Sequence, residues 1–151
     1  HRRALAKRMG FSIQEVQVLA SIVQSESNIA TEQRKIAGVY INRLKKRMPL
    51  QADPTLKYAC RNFEVQRILE KDKQVDSPDN TYKRRGLPPG PICLVGRQAL
   101  DATLNYEKHN YMYFCARPEL NGYSNFSVTY REHVINAQRY RRALDRRGIT
   151  R

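Results

Sequence analysis

Glu26 is a carboxylate on the face of a predicted helix that otherwise carries hydrocarbon. The helix is predicted from a capping box, Ser12 with Glu15 three positions later, followed by apolar residues at helical spacing. The residues three, four and seven positions before Glu26 are Val23, Ile22 and Leu19. Because residues at these spacings share one face of an α-helix, the Glu26 side chain is expected beside the core.

The position of Glu26 predicts a raised pKa. Burial removes hydration from the carboxylate, and Asn28 is the expected helix stop, so the negative end of the helix dipole also disfavours the ionised form. A carboxyl group that keeps its proton near neutral pH is suited to general acid catalysis. The alternative is an ordinary rim glutamate, whose stem lies along the core while its head reaches water, and this helix alone does not decide between the two.

Length and composition indicate one globular domain. The chain has 151 residues with 40% hydrophobic content, and no apolar stretch is long enough for a membrane span or a signal peptide. It begins at His1 in a basic segment, so we expect a single catalytic domain over 1–151, excised from a longer protein whose membrane anchor lies upstream. Three scattered cysteines and three scattered histidines predict neither a disulfide framework nor a zinc site.

The net charge of +14 is concentrated at the two ends of the chain. Residues 1–10 carry four positive charges and residues 138–151 a net five, so the ends supply nine of the fourteen. Charge at chain ends usually forms a solvated face or a non-specific anion contact, and aromatic residues do not alternate with it as stacking platforms would. We therefore expect the ends, 1–10 and 139–151, to be peripheral and expect no specific nucleic-acid partner.

The remaining elements predict an α+β fold, mainly helical with one antiparallel β-hairpin. Residues 76–96 hold four of the seven prolines and are expected to form a stiff irregular loop that lines a cleft. An ordinary surface loop is the alternative for that segment. The predicted helices are 12–28, 31–47, a short one from the Asp53-Pro54 start signal, 63–71, 98–104 and 129–146, and the predicted strands are 111–116 and 123–128.

Seven short motifs, in order along nearly the whole chain, resemble the MltG/YceG-like endolytic murein transglycosylases. They are ASIVQSES at Ala20 to Ser27, AGVYINRL at Ala37 to Leu44, MPLQADPTLKY at Met48 to Tyr58, DSPDNTY at Asp76 to Tyr82, GLPPGPIC at Gly86 to Cys93, YMYFCA at Tyr111 to Ala116 and FSVTYREH at Phe126 to His133. Each motif alone is weak, and their shared order carries the resemblance. Only the basic ends lie outside it.

The resemblance implies that Glu26 is the catalytic acid, because it matches the second glutamate of a SIVExE-type helix. Gln24 stands where the family has the first glutamate, and Asp79 where the family usually has an aromatic residue. LVG at Leu94 to Gly96 also replaces the more usual NPG. The Asp79 departure leaves sugar stacking at that loop in question.

The implied reaction is non-hydrolytic cleavage of the β-1,4 bond between N-acetylmuramic acid and N-acetylglucosamine, as in a polysaccharide lyase. Glu26 would act as acid and then as base while the muramoyl 6-hydroxyl attacks the anomeric carbon, giving a 1,6-anhydro end. No metal or cofactor is implied. The implied partners are peptidoglycan strands and cell-wall synthesis enzymes, and the implied location is the extracytoplasmic face of the inner membrane. The residues expected to hold the sugars are Gln51, Asp53, Thr55, Asn80, Tyr82 and Ser127.

Local structure offers other roles for some of these residues. Asp53 and Thr55 also fit a helix cap, Asn80 and Tyr82 fit turn chemistry, and His133 is expected to brace the fold. Two other functions stay open. One is a lysozyme-type hydrolase with Asp53 as the second carboxylate, and the other is a glycan- or nucleic-acid-binding module without turnover.

Overall fold

The computed structural model describes residues 1–149, and within them it is α+β, as the sequence predicts. The helices are α1 Arg2–Met9, α2 Ile13–Glu26, α3 Ala30–Lys45, α4 Asp53–Ala59, α5 Arg97–Leu104 and α6 Tyr130–Arg146. The strands are β1 Tyr113–Ala116 and β2 Ser124–Ser127, and a 3-10 turn covers Asp72–Gln74. No helix in this described part is long and apolar enough to cross a membrane.

The core lies where α2, α3 and α5 pack against one another. Leu19 and Ile22 of α2 meet Ile36 and Tyr40 of α3, and all four are at most 2% exposed. Each such apolar side chain contributes roughly 1.5–3 kcal/mol when it is fully buried. This contact fixes α2 against α3, and with it the position of Glu26 at the end of α2.

The ends of α2 follow from its sequence. Ser12 accepts a hydrogen bond from the Glu15 backbone N–H, and the Glu15 carboxylate accepts one from the Ser12 N–H, so the predicted capping box is formed. The helix ends at Glu26, two residues before the predicted stop, because Ser27 has extended backbone angles. The Ser27 hydroxyl then accepts from the N–H of Ile29, which holds the turn into α3.

The β-hairpin is confirmed in antiparallel register, with Phe114 opposite Phe126. It packs against α6, whose first turn is capped by the Thr129 hydroxyl. The helix predicted over 63–71 is wrong, since this segment forms turns. Phe63 is 61% exposed and Val65 alone in this segment is buried, at 9% exposure, so the segment buries too little apolar surface to stabilise so short a helix.

Candidate active site

Glu26 lies at a junction of three elements. It is the last residue of α2. Its carboxyl group interacts with Tyr40 and Arg43 of α3 and, through their charges, with Asp53 and Lys57 of α4. α4 begins at Asp53 with Pro54 in its first turn, which is the start signal that the sequence predicts. The end of one helix, the inner face of a second and the start of a third therefore meet around one carboxyl group.

The pKa of Glu26 is raised from 4.5 to about 8. Burial is the largest cause, and the negative charge of Asp53 adds to it. Hydrogen bonding from the Tyr40 hydroxyl and the charges of Lys57 and Arg43 act in the opposite direction without cancelling the rise. Glu26 therefore holds its proton at neutral pH. Tyr40, Lys57 and Arg43 stabilise the carboxylate that forms when the proton leaves.

Asp53 and Tyr82 form the second polar pair of the site. The Tyr82 hydroxyl donates a 2.5 Å hydrogen bond to Asp53 Oδ1. The edge of Asp53 is exposed to solvent, yet enough protein surrounds its carboxylate that lost hydration raises its pKa, against the effects of Tyr82, Lys73 and Lys57. This hydrogen bond holds the part of the 76–96 loop around Tyr82 against the start of α4, beside Glu26.

Two buried residues of α3 belong to the site although the sequence analysis did not assign them to it. Tyr40 is 2% exposed, and burial followed by the charge of Glu26 raises the pKa of its hydroxyl well above the usual value. Arg43 is 6% exposed, and burial lowers its pKa. The signal was present in AGVYINRL, where an arginine three residues after the inward tyrosine shares its helical face.

Arg43 is held by backbone oxygens and by an aromatic ring. Its Nε donates to the Met112 carbonyl at 2.7 Å, and its Nη1 donates to the carbonyls of Leu50 at 2.7 Å and Pro49 at 3.4 Å. Its guanidinium lies 5.1 Å from the centre of the Tyr113 ring. These contacts join the start of the hairpin to the helix that carries Tyr40.

Thr55 and Asn80 were expected to hold sugars, but the structure seals both from solvent at 0% exposure. The Thr55 hydroxyl bonds to the Ala52 carbonyl and to the Thr81 hydroxyl. Asn80 donates to the carbonyls of Lys73 and Val75 and accepts from the Tyr82 N–H. Because these hydrogen bonds occupy their polar atoms, both side chains shape the loop and the α4 start instead of binding sugar.

The remaining predicted site residues are Gln51, which is exposed, and Ser127, which is buried. Gln51 is exposed, next to Asp53 in the chain, with φ of +50°, an uncommon backbone region for a residue other than glycine. Ser127 is 2% exposed, and its hydroxyl has no hydrogen-bond partner among residues 1–149. Of the seven predicted site residues, Glu26, Asp53 and Tyr82 are brought into mutual electrostatic contact.

The proline-rich segment has no helix or strand, and its Tyr82 lies within electrostatic range of Glu26. Residues 86–89 border a shallow groove of about 380 Å³ with Phe11 and Gln14, beside the first turn of α2. Residues 92–96 return to α2, where Gln24 donates to the Leu94 carbonyl at 2.7 Å and accepts from the Gly96 N–H at 2.6 Å. The segment is thus anchored to α2 at its end and to α4 at its start.

The basic C-terminal part is tied to the site more closely than its charge suggests. Burial raises the pKa of Tyr140, on α6, and the charge of Asp53 raises it further. Arg67 bonds to the Asp145 carboxylate at 2.6 Å, so the turn segment that replaces the predicted 63–71 helix is fastened to the same helix. Within residues 1–149, no three His, Cys, Asp or Glu side chains are grouped to hold a metal ion.

Comparison with known proteins gives consistent matches. The model of the YceG-like family matches residues 1–139. An endolytic murein transglycosylase of Bacillus subtilis is 41% identical over 134 residues, which are 89% of this chain and 36% of that protein. An endolytic murein transglycosylase of Streptococcus pneumoniae is 33% identical over 114 residues, 73% of this chain and 21% of that protein.

A crystal structure of a YceG-like protein from Listeria monocytogenes superposes with a TM-score of 0.79 at 39% identity, over 88% of this chain and 43% of the other. The chain therefore spans well under half of the length of these relatives. Sequence motifs, fold and helix junction all agree with one assignment, and the chain belongs to the YceG-like family.

Proposed function

We propose that this domain is a lytic transglycosylase that cleaves peptidoglycan between N-acetylmuramic acid and N-acetylglucosamine. Relatives at 41% and 33% identity carry the name endolytic murein transglycosylase, which supports the reaction class. The single observation that carries the proposal is the position of Glu26, at the end of α2 beside Tyr40 of α3 and Asp53 of α4. Burial there raises its pKa to about 8, which suits this side chain to donate a proton at neutral pH.

In the proposed mechanism, Glu26 gives its proton to the bridging oxygen as the bond to the anomeric carbon breaks. The resulting carboxylate is stabilised by the Tyr40 hydroxyl and by the charges of Lys57 and Arg43. It then takes the proton of the muramoyl 6-hydroxyl while that oxygen bonds to the anomeric carbon. The products are a 1,6-anhydro end and a new 4-hydroxyl, no water is consumed, and Glu26 returns to its starting state.

Asp53 has a supporting role in this proposal. Its charge helps to keep Glu26 protonated, and its bond from Tyr82 fixes the loop beside the acid. Because the nucleophile is carried by the substrate, no second carboxylate is needed to activate water, and proximity supplies much of the rate. Gln51, exposed next to Asp53, is available to contact the strand.

A hydrolase is the second candidate, and one observation favours it. Asp53 is close enough to Glu26 for its charge to raise the Glu26 pKa, so two carboxyl groups share the site as in a two-carboxylate glycosidase. In that reaction Asp53 would activate water or form a covalent adduct. The two reactions differ in whether an oxygen atom of water enters the product.

The test is mass spectrometry of purified glycan strands after incubation with the protein in water enriched in heavy oxygen. Transglycosylation predicts anhydro ends without label, and hydrolysis predicts reducing ends with label. Glu26→Gln should lower cleavage by two to four orders of magnitude, the usual value of a general acid. Glu119→Gln, at an exposed glutamate of the hairpin loop, is the matched control and should cleave normally. Labelled ends would transfer the assignment to the hydrolase.

The proposed substrate places the domain in the cell envelope, on the outer side of the cytoplasmic membrane. Cell-wall synthesis enzymes are the proposed protein partners, because they act on the same glycan polymer. Fractionation of cells that produce the full-length protein, with protease accessibility of this domain, tests the location.

A further inference from the structure

Arg43 is a buried cation without an anionic partner among the residues that the structure describes. None of the salt bridges within residues 1–149 includes Arg43. They join Arg2 to Asp101, Arg67 to Asp145, Lys73 to Glu70 and Arg84 to Asp76. The groups that raise its pKa are Tyr40, Tyr113, Tyr82 and Glu26. A tyrosine hydroxyl is a neutral hydrogen-bonding group, and Glu26 is protonated at neutral pH, so Arg43 lacks a counter-charge.

Such a cation is expected to have a partner, because an ionised group removed from water needs compensation. Its Nε and Nη1 are used by three backbone carbonyls, and Nη2 has no acceptor within residues 1–149. The side chain is not fully sealed, since 6% of its surface stays exposed. The arginine is thus held rigidly through Nε and Nη1, and the two N–H donors of Nη2 remain free.

Two further polar atoms without partners lie around the same aromatic ring. Ser127 is directly opposite Tyr113 across the hairpin, so the two side chains share one face of the sheet. The His133 ring stacks on Tyr113 at 5.1 Å. Both Ser127 Oγ and His133 Nδ1 are buried and lack a hydrogen bond in the described chain. We call Arg43, Tyr113, Ser127 and His133 the Tyr113 cluster.

His133 is a neutral hydrogen-bonding group that can contact either a neutral or a charged ligand atom. Burial is the largest of the causes that lower its pKa, and the charges of Arg43 and Arg141 act in the same direction. The imidazole is therefore uncharged at neutral pH, with one donating and one accepting nitrogen. The imidazole, the Ser127 hydroxyl and the Arg43 guanidinium are all arranged around the Tyr113 ring.

We propose that the Tyr113 cluster binds the lactyl acyl group of the muramoyl sugar, through Arg43 Nη2 with the side chains of Ser127 and His133, and so selects which sugar is placed beside Glu26. This rests on the proposed function. The lactyl group is carried on C3 of the ring whose C1 is cleaved, and N-acetylglucosamine lacks it. Arg43 lies in the electrostatic range of Glu26, as this substrate geometry requires. The acyl group is a carboxylate in strands without peptides and an amide carbonyl where a peptide is attached.

The test measures binding with a protein that cannot turn over. The isotope-labelled Glu26→Gln protein is titrated by NMR with N-acetylmuramic acid, its lactyl amide, N-acetylglucosamine and glucuronic acid at 0.15 M salt. A hydrogen bond to a charged group predicts that N-acetylmuramic acid binds about ten- to a hundredfold more tightly than N-acetylglucosamine. Preference for the acid alone identifies bare strands as the source, and preference for the amide as well identifies peptide-bearing strands. Equal binding of the amide, the acid and N-acetylglucosamine would overturn the proposal.

Variants then assign the preference to the cluster. Arg43→Lys should remove most of it, whereas Arg142→Lys, an exposed arginine of α6, should keep it. Because Arg43→Lys also loses carbonyl bonds that stabilise the fold, Ser127→Ala provides a second variant, which removes a hydroxyl without a protein partner and should lower the preference severalfold. A preference that survives both variants, or glucuronic acid binding as tightly as N-acetylmuramic acid, would refute the assignment.

Failure of this inference is distinguishable from failure of the proposed function. The sugar preference is measured with an inactive protein, and the reaction type is measured from the ends that the active protein makes. Anhydro ends without a sugar preference would refute the Tyr113 cluster alone. Labelled reducing ends with a preserved preference would refute the transglycosylase alone.

Discussion

Glu26→Gln should make this protein more stable at neutral pH while it abolishes cleavage. The folded state keeps Glu26 protonated up to a pKa of about 8, whereas the unfolded chain ionises it above its ordinary value of 4.5. Between these two values the unfolded state binds fewer protons than the folded state, so stability falls as the pH rises. A glutamine has no proton to lose and avoids this cost.

The size of the effect follows from the two pKa values. At pH 7 the interval above 4.5 is about 2.5 pH units, which corresponds to about 3 kcal/mol at 1.36 kcal/mol per unit. For a domain of 151 residues this is a rise in Tm of roughly 6–12 °C. Below pH 4.5 both proteins carry a neutral side chain at this position, and the difference should vanish.

Urea unfolding followed by circular dichroism, at half-unit steps from pH 4 to pH 8, measures this difference directly. Asp53 also titrates with a raised pKa, but it is present in both proteins, so its contribution largely cancels in the comparison. Glu119→Gln, the exposed control, should show no such trend. A Glu26→Gln protein that is less stable at pH 7, or whose advantage is the same at pH 4 and pH 7, would show that Glu26 is not the buried acid described here.

Three further outcomes are expected. The cleavage rate constant kcat/KM should fall about tenfold per pH unit above pH 8 as Glu26 ionises. Tyr40→Phe should move this alkaline fall to higher pH, because the Tyr40 hydrogen bond lowers the Glu26 pKa, and an unchanged profile would exclude that bond. Gly38→Ala should cost 1–3 kcal/mol in urea unfolding, since the new methyl group would meet the Glu107 carbonyl oxygen at 2.4 Å, and an unchanged midpoint would contradict this contact. Asn80→Ala should lower the free energy of unfolding by about 1–3 kcal/mol and lower activity, because the backbone groups that Asn80 bonds would lose their partner. A stable, fully active variant would refute its role in shaping the loop.

Local sequence signals predicted the elements that position the acid. The capping box fixed the start of α2, and the apolar spacing placed Glu26 beside the core, because both depend on residues three or four positions apart. The turn residues around the hairpin predicted two strands that the structure confirms. The helix over 63–71 failed because Val65 is its only buried side chain, and how much surface a segment can bury is decided only by the tertiary structure.

Contacts between distant segments were beyond the reach of such patterns. Arg43 is fixed by carbonyls from both the Pro49–Leu50 turn and Met112, and it lies over a ring from the hairpin. A buried arginine on α3 looks like a solvated charge until those partners are known. For the same reason Asn80 looked like a ligand for sugar, although its amide is consumed by backbone groups of its own loop.

The departures from the family pattern are linked in the structure. Gln24 stands where the family resemblance implies a glutamate, and its amide both donates to the Leu94 carbonyl and accepts from the Gly96 N–H. A carboxylate could accept from Gly96 but could not donate to the Leu94 carbonyl, so the amide suits the changed turn from Leu94 to Gly96. It also adds no negative charge near Glu26. The raised pKa of Glu26 therefore arises from burial and from Asp53 of α4, and a single proton is held where the proposed reaction needs it.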